Sequence, residues 1–373
     1  MRITVIVFLF LLAVATGCSH RGIQLVPVKT IRTGEAGTPV FFSGAYSHLK
    51  EGEYWIYFDP DRDALRYIPL KGDSIADTPL DSLPVVDRTP EGLAFYVHNL
   101  DSIFAFPHHE KTVFLINRNG EIRNQWVIDR PLPSGETNYS VLSIWLAPMV
   151  YRNERFYMTG IRNSGSVRTP DGLSKTYDVS SDLSIDLTRT PYVIHNSTGM
   201  WPAIYRKNYW DDSVPQRCVD HRGNVIYNFS VTPQVDVYRN DSLVFSGQAK
   251  SRYLKKERQP YDLDSIGNFV YLKRYYVEQP IYKTIVEDPY RKLYYLPVIL
   301  GGDYLDSDGL IRRSTDNPWS LIVMDTTFRV VDEVLMDPRR YGRMVVPTPE
   351  GVMLNTKDGT DSLTFTVFKL QMP

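Results

Sequence analysis

Short runs of β-branched and aromatic residues, separated by polar turns, follow one another along the chain after residue 24. The clearest pairs of runs are residues 53–58 and 65–70, 112–116 and 121–128, 217–219 and 224–231, and 320–324 and 328–336. Runs of this composition are typical of β-strands, and Asn119-Gly120 and Arg222-Gly223 suit tight hairpin turns. The pattern therefore predicts four β-hairpins, and it contains no convincing amphipathic helix.

Two repeats organise these strands. The last three hairpins begin near residues 112, 217 and 320, a spacing of about 105 residues, or twice the length of a four-stranded propeller blade. The triplet Asp-Ser-aliphatic occurs at residues 73–75, 81–83, 101–103, 241–243, 264–266 and 361–363. Because Asp and Ser accept hydrogen bonds from turn amides, we expect the triplet to form turns between two strands of one blade.

The fold class that these patterns predict is all-β, with residues 24–373 forming a single β-propeller. Dividing the chain by the repeat length favours seven blades, with six as the alternative if the loops are long. An open sheet would expose unpaired edges, so we expect residues 24–31 to pair with residues 363–370 and close the ring. A pair of β-sandwiches and an open β-solenoid are the alternative architectures.

Composition agrees with this fold class and excludes one class of partner. The chain has 373 residues, of which 13% are aromatic, a residue class that favours strands. It has 42 Lys and Arg and 43 Asp and Glu, so its net charge is near zero. It therefore lacks the excess of basic residues that is typical of a nucleic-acid-binding protein. We expect a monomer with no nucleic-acid partner and no cofactor.

The N-terminal segment predicts export and a lipid anchor. Arg2 is followed by an apolar run at residues 3–14 and then by small residues before Cys18. This layout is that of a secretory signal, and its end resembles the lipobox of bacterial lipoproteins. We therefore expect a signal peptide at residues 1–17, fatty acyl chains such as palmitate on Cys18, and a tether at residues 18–23. The alternative is an ordinary signal peptide, with Cys18 as an incidental thiol.

The residues after Cys18 indicate where such a lipoprotein would be anchored. Ser19, rather than Asp, resembles signals for the outer membrane of a Gram-negative bacterium. No acidic cluster follows Cys18, so we favour the periplasmic side over the cell surface. Membrane attachment through several acyl chains would be strong, since one chain alone binds marginally.

Three longer segments resemble a family of uncharacterised bacterial lipoproteins with a TolB-like or NHL-like propeller. The segments are residues 282–295, 319–325 and 347–354. Together with the lipobox and the hairpins, they extend the resemblance over nearly the whole mature chain. The resemblance implies a propeller fold and a location at the bacterial membrane. It implies no activity and no catalytic residue.

Cys218 is the only cysteine besides Cys18. If Cys18 is acylated, the mature domain has no intrachain disulfide. Because Cys218 precedes Val219 in a predicted strand, we interpret it as a buried, inert thiol rather than a nucleophile.

The most calcium-like segment is residues 301–309. Asp306 and Asp308 alternate before Gly309, as calcium ligands do in a binding loop. However, Tyr304 occupies the first ligand position and Thr315 stands where a bidentate Glu is required. We therefore interpret both carboxylates as solvated turn residues and expect no metal.

The segment that departs most from the alternation of strands and turns is residues 195–214. It contributes our candidate ligand-binding residues, which are Trp201, Tyr205, Tyr209, Trp210, Asp211 and Asp212. Aromatic side chains with polar tips are common at recognition surfaces and could stack on sugar rings or grip a peptide. The alternative, which we favour, is that these aromatics pack between neighbouring blades.

Two function classes fit the sequence. The first is a propeller that binds a peptide, glycan or protein, and the lack of any catalytic motif favours it. The second is a hydrolase or lyase acting on polysaccharide through carboxylates gathered in the central channel. Two close carboxylates with divergent pKa values at the channel mouth would favour the enzyme.

Overall fold

The computed structural model describes residues 22–36, 45–69, 76–84, 93–107, 110, 112–128, 139–142, 149–152, 154–162, 167–188, 193–211, 214–357 and 362–372. These residues form six antiparallel sheets arranged as a β-propeller, which confirms the all-β prediction. No helix in the described part of the chain is long and apolar enough to cross a membrane.

The first half of the chain contains β1 and the first three blades. Its strands are β1 (Gln24–Ala36), β2 (Ala45–Leu49), β3 (Gly52–Asp59), β4 (Ala64–Pro69), β5 (Ala76–Pro79), β6 (Leu93–Asn99), β7 (Ser102–Pro107), β8 (Thr112–Ile116), β9 (Ile122–Val127), β10 (Tyr139–Leu142), β11 (Val150–Arg152), β12 (Arg155–Arg162), β13 (Ser180–Asp186) and β14 (Val193–Met200). Blade 1 is β2 to β5, blade 2 is β6 to β9, and blade 3 is β10 to β14.

The second half contains blades 4 to 6. Its strands are β15 (Pro215–Val219), β16 (Val225–Phe229), β17 (Thr232–Arg239), β18 (Ser242–Gln248), β19 (Ile281–Tyr282), β20 (Val286–Asp288), β21 (Leu293–Ile299), β22 (Trp319–Met324), β23 (Val330–Met336), β24 (Tyr341–Thr348), β25 (Gly351–Thr356) and β26 (Ser362–Gln371). Blade 4 is β15 to β18, blade 5 is β19 to β23, and blade 6 is β24 to β26 with β1 at its outer edge.

Closure of the ring by the two terminal strands is confirmed. β1 pairs antiparallel with β26 in a register that runs from Gln24 opposite Gln371 to Ala36 opposite Ser362. The first strand of the domain thereby completes the last blade. This pairing covers an edge of β26 that would otherwise expose unpaired backbone groups.

The preference for seven blades was wrong, because the described residues form six. The predicted hairpins themselves are confirmed, but their even spacing does not measure a repeat. The hairpin of β8 and β9 ends blade 2, that of β15 and β16 begins blade 4, and that of β22 and β23 ends blade 5. Many residues also lie in helices and long connectors between blades, as expected for the six-blade alternative.

Three α-helices in the described residues account for part of that length, although the sequence offered no convincing amphipathic helix. They are α1 (Pro170–Tyr177), α2 (Ala203–Lys207) and α3 (Phe269–Glu278). The side chain of Asn268 caps α3 by accepting hydrogen bonds of 3.1 Å from the amides of Val270 and Tyr271. Each helix is short, so the apolar periodicity is too brief to distinguish it from a loop.

The Asp-Ser-aliphatic triplets adopt more than one structure. Those at residues 101–103 and 241–243 form the predicted turns between strands of one blade. The triplet at 81–83 lies in a connector between blades, and residues 264–266 overlap a turn of 3-10 helix. The triplet at 73–75 lies outside the described residues, as does Asp361 of the last triplet.

Strand order defines two ends of the propeller. In each blade the turn from the innermost to the second strand lies at the end where β1 begins, which we call the tether end. Connectors from the outermost strand of one blade to the innermost strand of the next lie at the opposite end, the helix end. The helices α2 and α3 lie in such connectors, and α1 lies between β12 and β13 at the same end.

The apolar core lies between neighbouring blades. Ile56 and Leu65 of blade 1, for example, form one buried cluster with Phe95 and Ile103 of blade 2. Similar clusters join blades 4 and 5, blades 5 and 6, and blades 6 and 1. Burial on both faces of each sheet fixes the blades side by side and holds the loops at the two ends in place.

Candidate functional site

Three aromatic side chains proposed as ligand contacts are buried in the protein. Trp201, Tyr205 and Trp210 are at most 3% exposed. They pack with Tyr177 of α1 and Phe229 of β16, and the Trp201 and Tyr205 ring centroids are 5.1 Å apart. This burial favours the packing alternative for these three residues, since a ring needs an exposed face to stack on a ligand.

Tyr209 and Asp211 differ from those three, because both are half-buried at the helix end. The Tyr276 hydroxyl of α3 donates a hydrogen bond of 2.7 Å to Oδ2 of Asp211. The Tyr209 ring meets the edge of Tyr261, with the centroids 5.9 Å apart. The connector after α2 is thus joined to the connector that contains α3. Asp212 lies outside the described residues.

These contacts extend into a group of tyrosines that the sequence did not single out. We call it the tyrosine cluster: Tyr209, Tyr261, Tyr271, Tyr275 and Tyr276. The Tyr261 ring centroid lies 5.1 Å from that of Tyr271 and 5.0 Å from that of Tyr275, both edge to face. Tyr261 and Tyr275 are buried, whereas Tyr209, Tyr271 and Tyr276 are partly exposed. The two buried rings therefore support three partly exposed ones.

One sequence signal could have pointed to this cluster. Tyr271 and Tyr275 are four residues apart, a spacing that places side chains on the same face of a helix. Asn268 is a suitable N-cap for that helix. The contact of Tyr261 with these residues, and of Tyr276 with Asp211, depends on how two connectors meet in space.

Burial raises the pKa of several tyrosines in the cluster, among them Tyr209 and Tyr275. It raises the pKa of Tyr209, and the nearby Asp211 carboxylate raises it further. Burial likewise raises the pKa of Tyr275, whose hydroxyl donates 2.7 Å to the carbonyl of Gln259 and accepts from Nε of Arg258 at 3.2 Å. The hydroxyl groups of Tyr209 and Tyr275 are therefore protonated and neutral at neutral pH.

A second group of polar residues lies at the tether end, in the turn after β15 and on β20. The His221 amide donates 2.6 Å to Oε2 of Glu287, and its Nδ1 faces Oε1 of the same carboxylate. His221 is half exposed, whereas Glu287 is largely buried. Desolvation raises the pKa of Glu287, although the hydrogen bonds from His221 oppose that rise.

Asp220 lies beside this pair, and its pKa moves in the opposite direction. Burial alone would raise it, but hydrogen bonds from the Asn224 side chain and amide and from the Tyr294 hydroxyl outweigh burial and lower it. The oxygens of Asp220 accept these bonds at 2.7 to 2.9 Å. Asp220 therefore stabilises its turn and offers little free carboxylate to a ligand.

The remaining candidates are local turn residues or unreactive groups. Oδ1 of Asp306 accepts 2.9 Å from the Asp308 amide and 2.8 Å from the Leu310 amide. Within the described part of the chain, no three His, Cys, Asp or Glu residues come together as a metal site would require. Burial raises the pKa of the Cys218 thiol to about 12, so Cys218 is not a nucleophile at neutral pH.

Comparison with solved structures shows what the fold resembles. A member of the DUF4221 family from Bacteroides vulgatus matches with a TM-score of 0.75, at 17% identity over 95% of this chain and 100% of that one. A Bacteroides fragilis protein, named as a candidate for export, matches with a TM-score of 0.52, at 10% identity over 95% of this chain and 96% of that one. No family model and no curated sequence matches. At these identities the likeness shows the propeller fold alone.

Proposed function

We propose that this protein is a ligand-binding propeller anchored by a lipid on Cys18 to the periplasmic face of the outer membrane. The signal segment and Cys18 support the anchor. The structurally similar Bacteroides fragilis protein is named as a candidate for export, which is consistent with a location outside the cytoplasm. A Cys18→Ala variant should leave the membrane fraction, and full retention there would contradict the anchor.

The ligand-binding site is the tyrosine cluster with Asp211, and the ligand is a glycan. The partly exposed side chains of Tyr209, Tyr271 and Tyr276 offer aromatic surface for the C–H faces of sugar rings. The Asp211 carboxylate beside them can accept hydrogen bonds from sugar hydroxyls. This combination of partly exposed tyrosines with a half-buried carboxylate is the observation on which the proposal depends.

A glycan array followed by titration calorimetry tests this site. The Tyr209→Ala/Tyr271→Ala variant should lose about tenfold or more in affinity for any glycan that the natural protein binds. Tyr290→Ala is the matched control, because Tyr290 is a partly exposed tyrosine at the tether end. Equal affinity of all three proteins would contradict the site, and binding of peptides but not glycans would contradict the ligand class.

A second candidate function follows from the pair of His221 and Glu287. A carboxylate that holds Nδ1 of an exposed imidazole orients the ring as in a general base. Such a pair at the tether end would support hydrolysis or elimination on a polysaccharide. His221→Gln should then abolish release of reducing ends from a substrate that the natural protein cleaves. Cleavage that survives this change would exclude the pair.

A further inference from the structure

The backbone becomes fixed to the propeller at the tether end, beside the outer edges of blades 5 and 6. The Ile23 amide donates a hydrogen bond to Oδ2 of Asp332 in β23. The Ile23 side chain is buried with Tyr295 of blade 5 and Val352 of blade 6. Gln24 then pairs with Gln371 at the last residue of β26. From Ile23 onward, the chain is therefore part of the folded domain.

Only residues 19–22 separate Cys18 from Ile23. Because an extended chain advances at most about 3.5 Å per residue, the five steps from Cys18 to Ile23 span about 17 Å. Acyl chains on Cys18 lie within the bilayer. The tether end of blades 5 and 6 must therefore lie within about that distance of the membrane surface, whatever the conformation of these residues.

Exposed apolar side chains surround the point where the tether leaves the domain. We call them the tether rim: Val26, Val28, Val330, Val331 and Met372. Each of them is 36 to 53% exposed. They come from the start of β1, the start of β23 and the residue after β26. The bond from Ile23 to Asp332 and the pairing of Gln24 with Gln371 bring these three elements together where the tether leaves the domain. Scattered exposed apolar residues are ordinary, but these five lie on elements that meet at one point.

Two ion pairs lie beside the tether rim, and Lys369 is an exposed cation opposite Val26. Nζ of Lys29 lies 2.7 Å from Oε2 of Glu350, and Arg329 binds Asp325 at 3.1 Å. Screening by salt limits what a single exposed cation contributes to lipid binding. The apolar side chains therefore contribute most to contact with a neutral bilayer.

We propose that the tether rim rests on the bilayer that holds the lipid of Cys18, so that the helix end faces away from the membrane. This inference rests on the proposed lipid anchor. An eight-residue strand spans about 26 Å, so the tyrosine cluster would lie about that far above the surface. The ligand-binding site would then face away from the membrane. The pair of His221 and Glu287, at the tether end, would face the membrane.

Site-directed fluorescence on the lipidated full-length protein tests this orientation. Two labelling sites are made, each together with Cys218→Ser. One is Val331→Cys at the tether rim, and the other is Phe269→Cys at the helix end, where the Phe269 side chain is 75% exposed. Each new cysteine carries an environment-sensitive label. The proteins are reconstituted into phosphatidylcholine vesicles that contain a nitroxide-labelled lipid. We expect the label at residue 331 to lose about half of its emission and the label at 269 to be unaffected, since about 26 Å separates the two ends.

The outcomes separate the anchor from the orientation. If intact mass shows no acyl chain and the protein does not float with vesicles, the anchor fails and the orientation fails with it. If the lipidated protein floats but residue 331 is not quenched, or residue 269 is quenched as strongly, the anchor stands and the orientation is wrong. If the vesicle-bound protein shows quenching only at residue 331, and it persists at high salt, the apolar tether rim is the contact.

Discussion

The Tyr276 hydroxyl donates a hydrogen bond of 2.7 Å to Oδ2 of Asp211, which joins α3 to the connector that follows α2. Phenylalanine at position 276 would keep the ring and remove this bond, which typically contributes about 1 kcal/mol to the free energy of unfolding. We expect Tyr276→Phe to lower stability by about this amount and to weaken glycan binding by loosening Asp211. Chemical denaturation and calorimetry measure both effects.

Tyr290→Phe is the matched control for this prediction. The Tyr290 hydroxyl donates 2.6 Å to Oε1 of Glu53, so the variant also removes a tyrosine–carboxylate bond, but at the tether end. It should affect stability similarly and leave glycan affinity unchanged. A loss of affinity equal to that of Tyr276→Phe would show that Asp211 has no special part in binding.

Trp201 tests whether the buried aromatic group is core or ligand site. Trp201 is 3% exposed and packs against Tyr177, with the ring centroids 5.0 Å apart. Trp201→Ala should therefore cost about 3–5 kcal/mol of stability in urea denaturation, because it leaves a cavity between α1 and blade 4. Unchanged stability with lost ligand binding would instead place Trp201 in the binding site.

Arg217 and Asp182 form an ion pair without solvent exposure between blades 3 and 4. The Tyr227 hydroxyl also donates 2.5 Å to Oδ2 of Asp182. Arg217→Met should cost about 3–5 kcal/mol, because it leaves a buried carboxylate without its cation. The double variant Arg217→Met/Asp182→Leu should lose less than the sum of the two single variants. Additive losses in denaturation experiments would contradict this coupling.

Asp220 predicts a pH dependence of stability. Its folded-state pKa lies below the ordinary value of 3.8, so the unfolded chain binds the proton more readily. The stabilisation is therefore present above that value and is lost as the pH falls through the folded-state pKa. We expect Asp220→Asn to be destabilised by about 1–3 kcal/mol at neutral pH. The gap to the natural protein should narrow as the pH falls below the ordinary value of 3.8 and through the lower folded-state pKa.

The control for this prediction is Asp308→Asn, at an exposed turn. Urea denaturation across the pH range should place this variant within about 0.5 kcal/mol of the natural protein. A gap for Asp220→Asn that is constant over the whole pH range would contradict the role assigned to the Asp220 charge.

Local chemistry made the strands and the closure of the ring predictable. Turns such as Asn119-Gly120 and the alternating run at the C-terminus need no knowledge of distant contacts, and both appear in the structure. The number of blades was not predictable, because hairpins at different positions within their blades happened to be evenly spaced. Only the three-dimensional structure distinguishes a repeat of blades from a repeat of turns.

The candidate site could be predicted only in part for a related reason. The sequence singles out the segment around Tyr209 and Asp211 as unusual, but it does not show which aromatic side chains are exposed. Trp201 and Trp210 are covered by α1 and β16, whereas Tyr209 meets Tyr261 from a connector about 50 residues away in the chain. Such convergence of connectors depends on the order of the blades.

A crystal structure of the mature protein with the best glycan from the array would locate the binding site. Electron density for sugar rings should lie over Tyr209 and Tyr271, with a hydroxyl within hydrogen-bond distance of Asp211. Density instead at the tether end, against His221 and Glu287, would contradict a binding module at the helix end and would favour the enzyme.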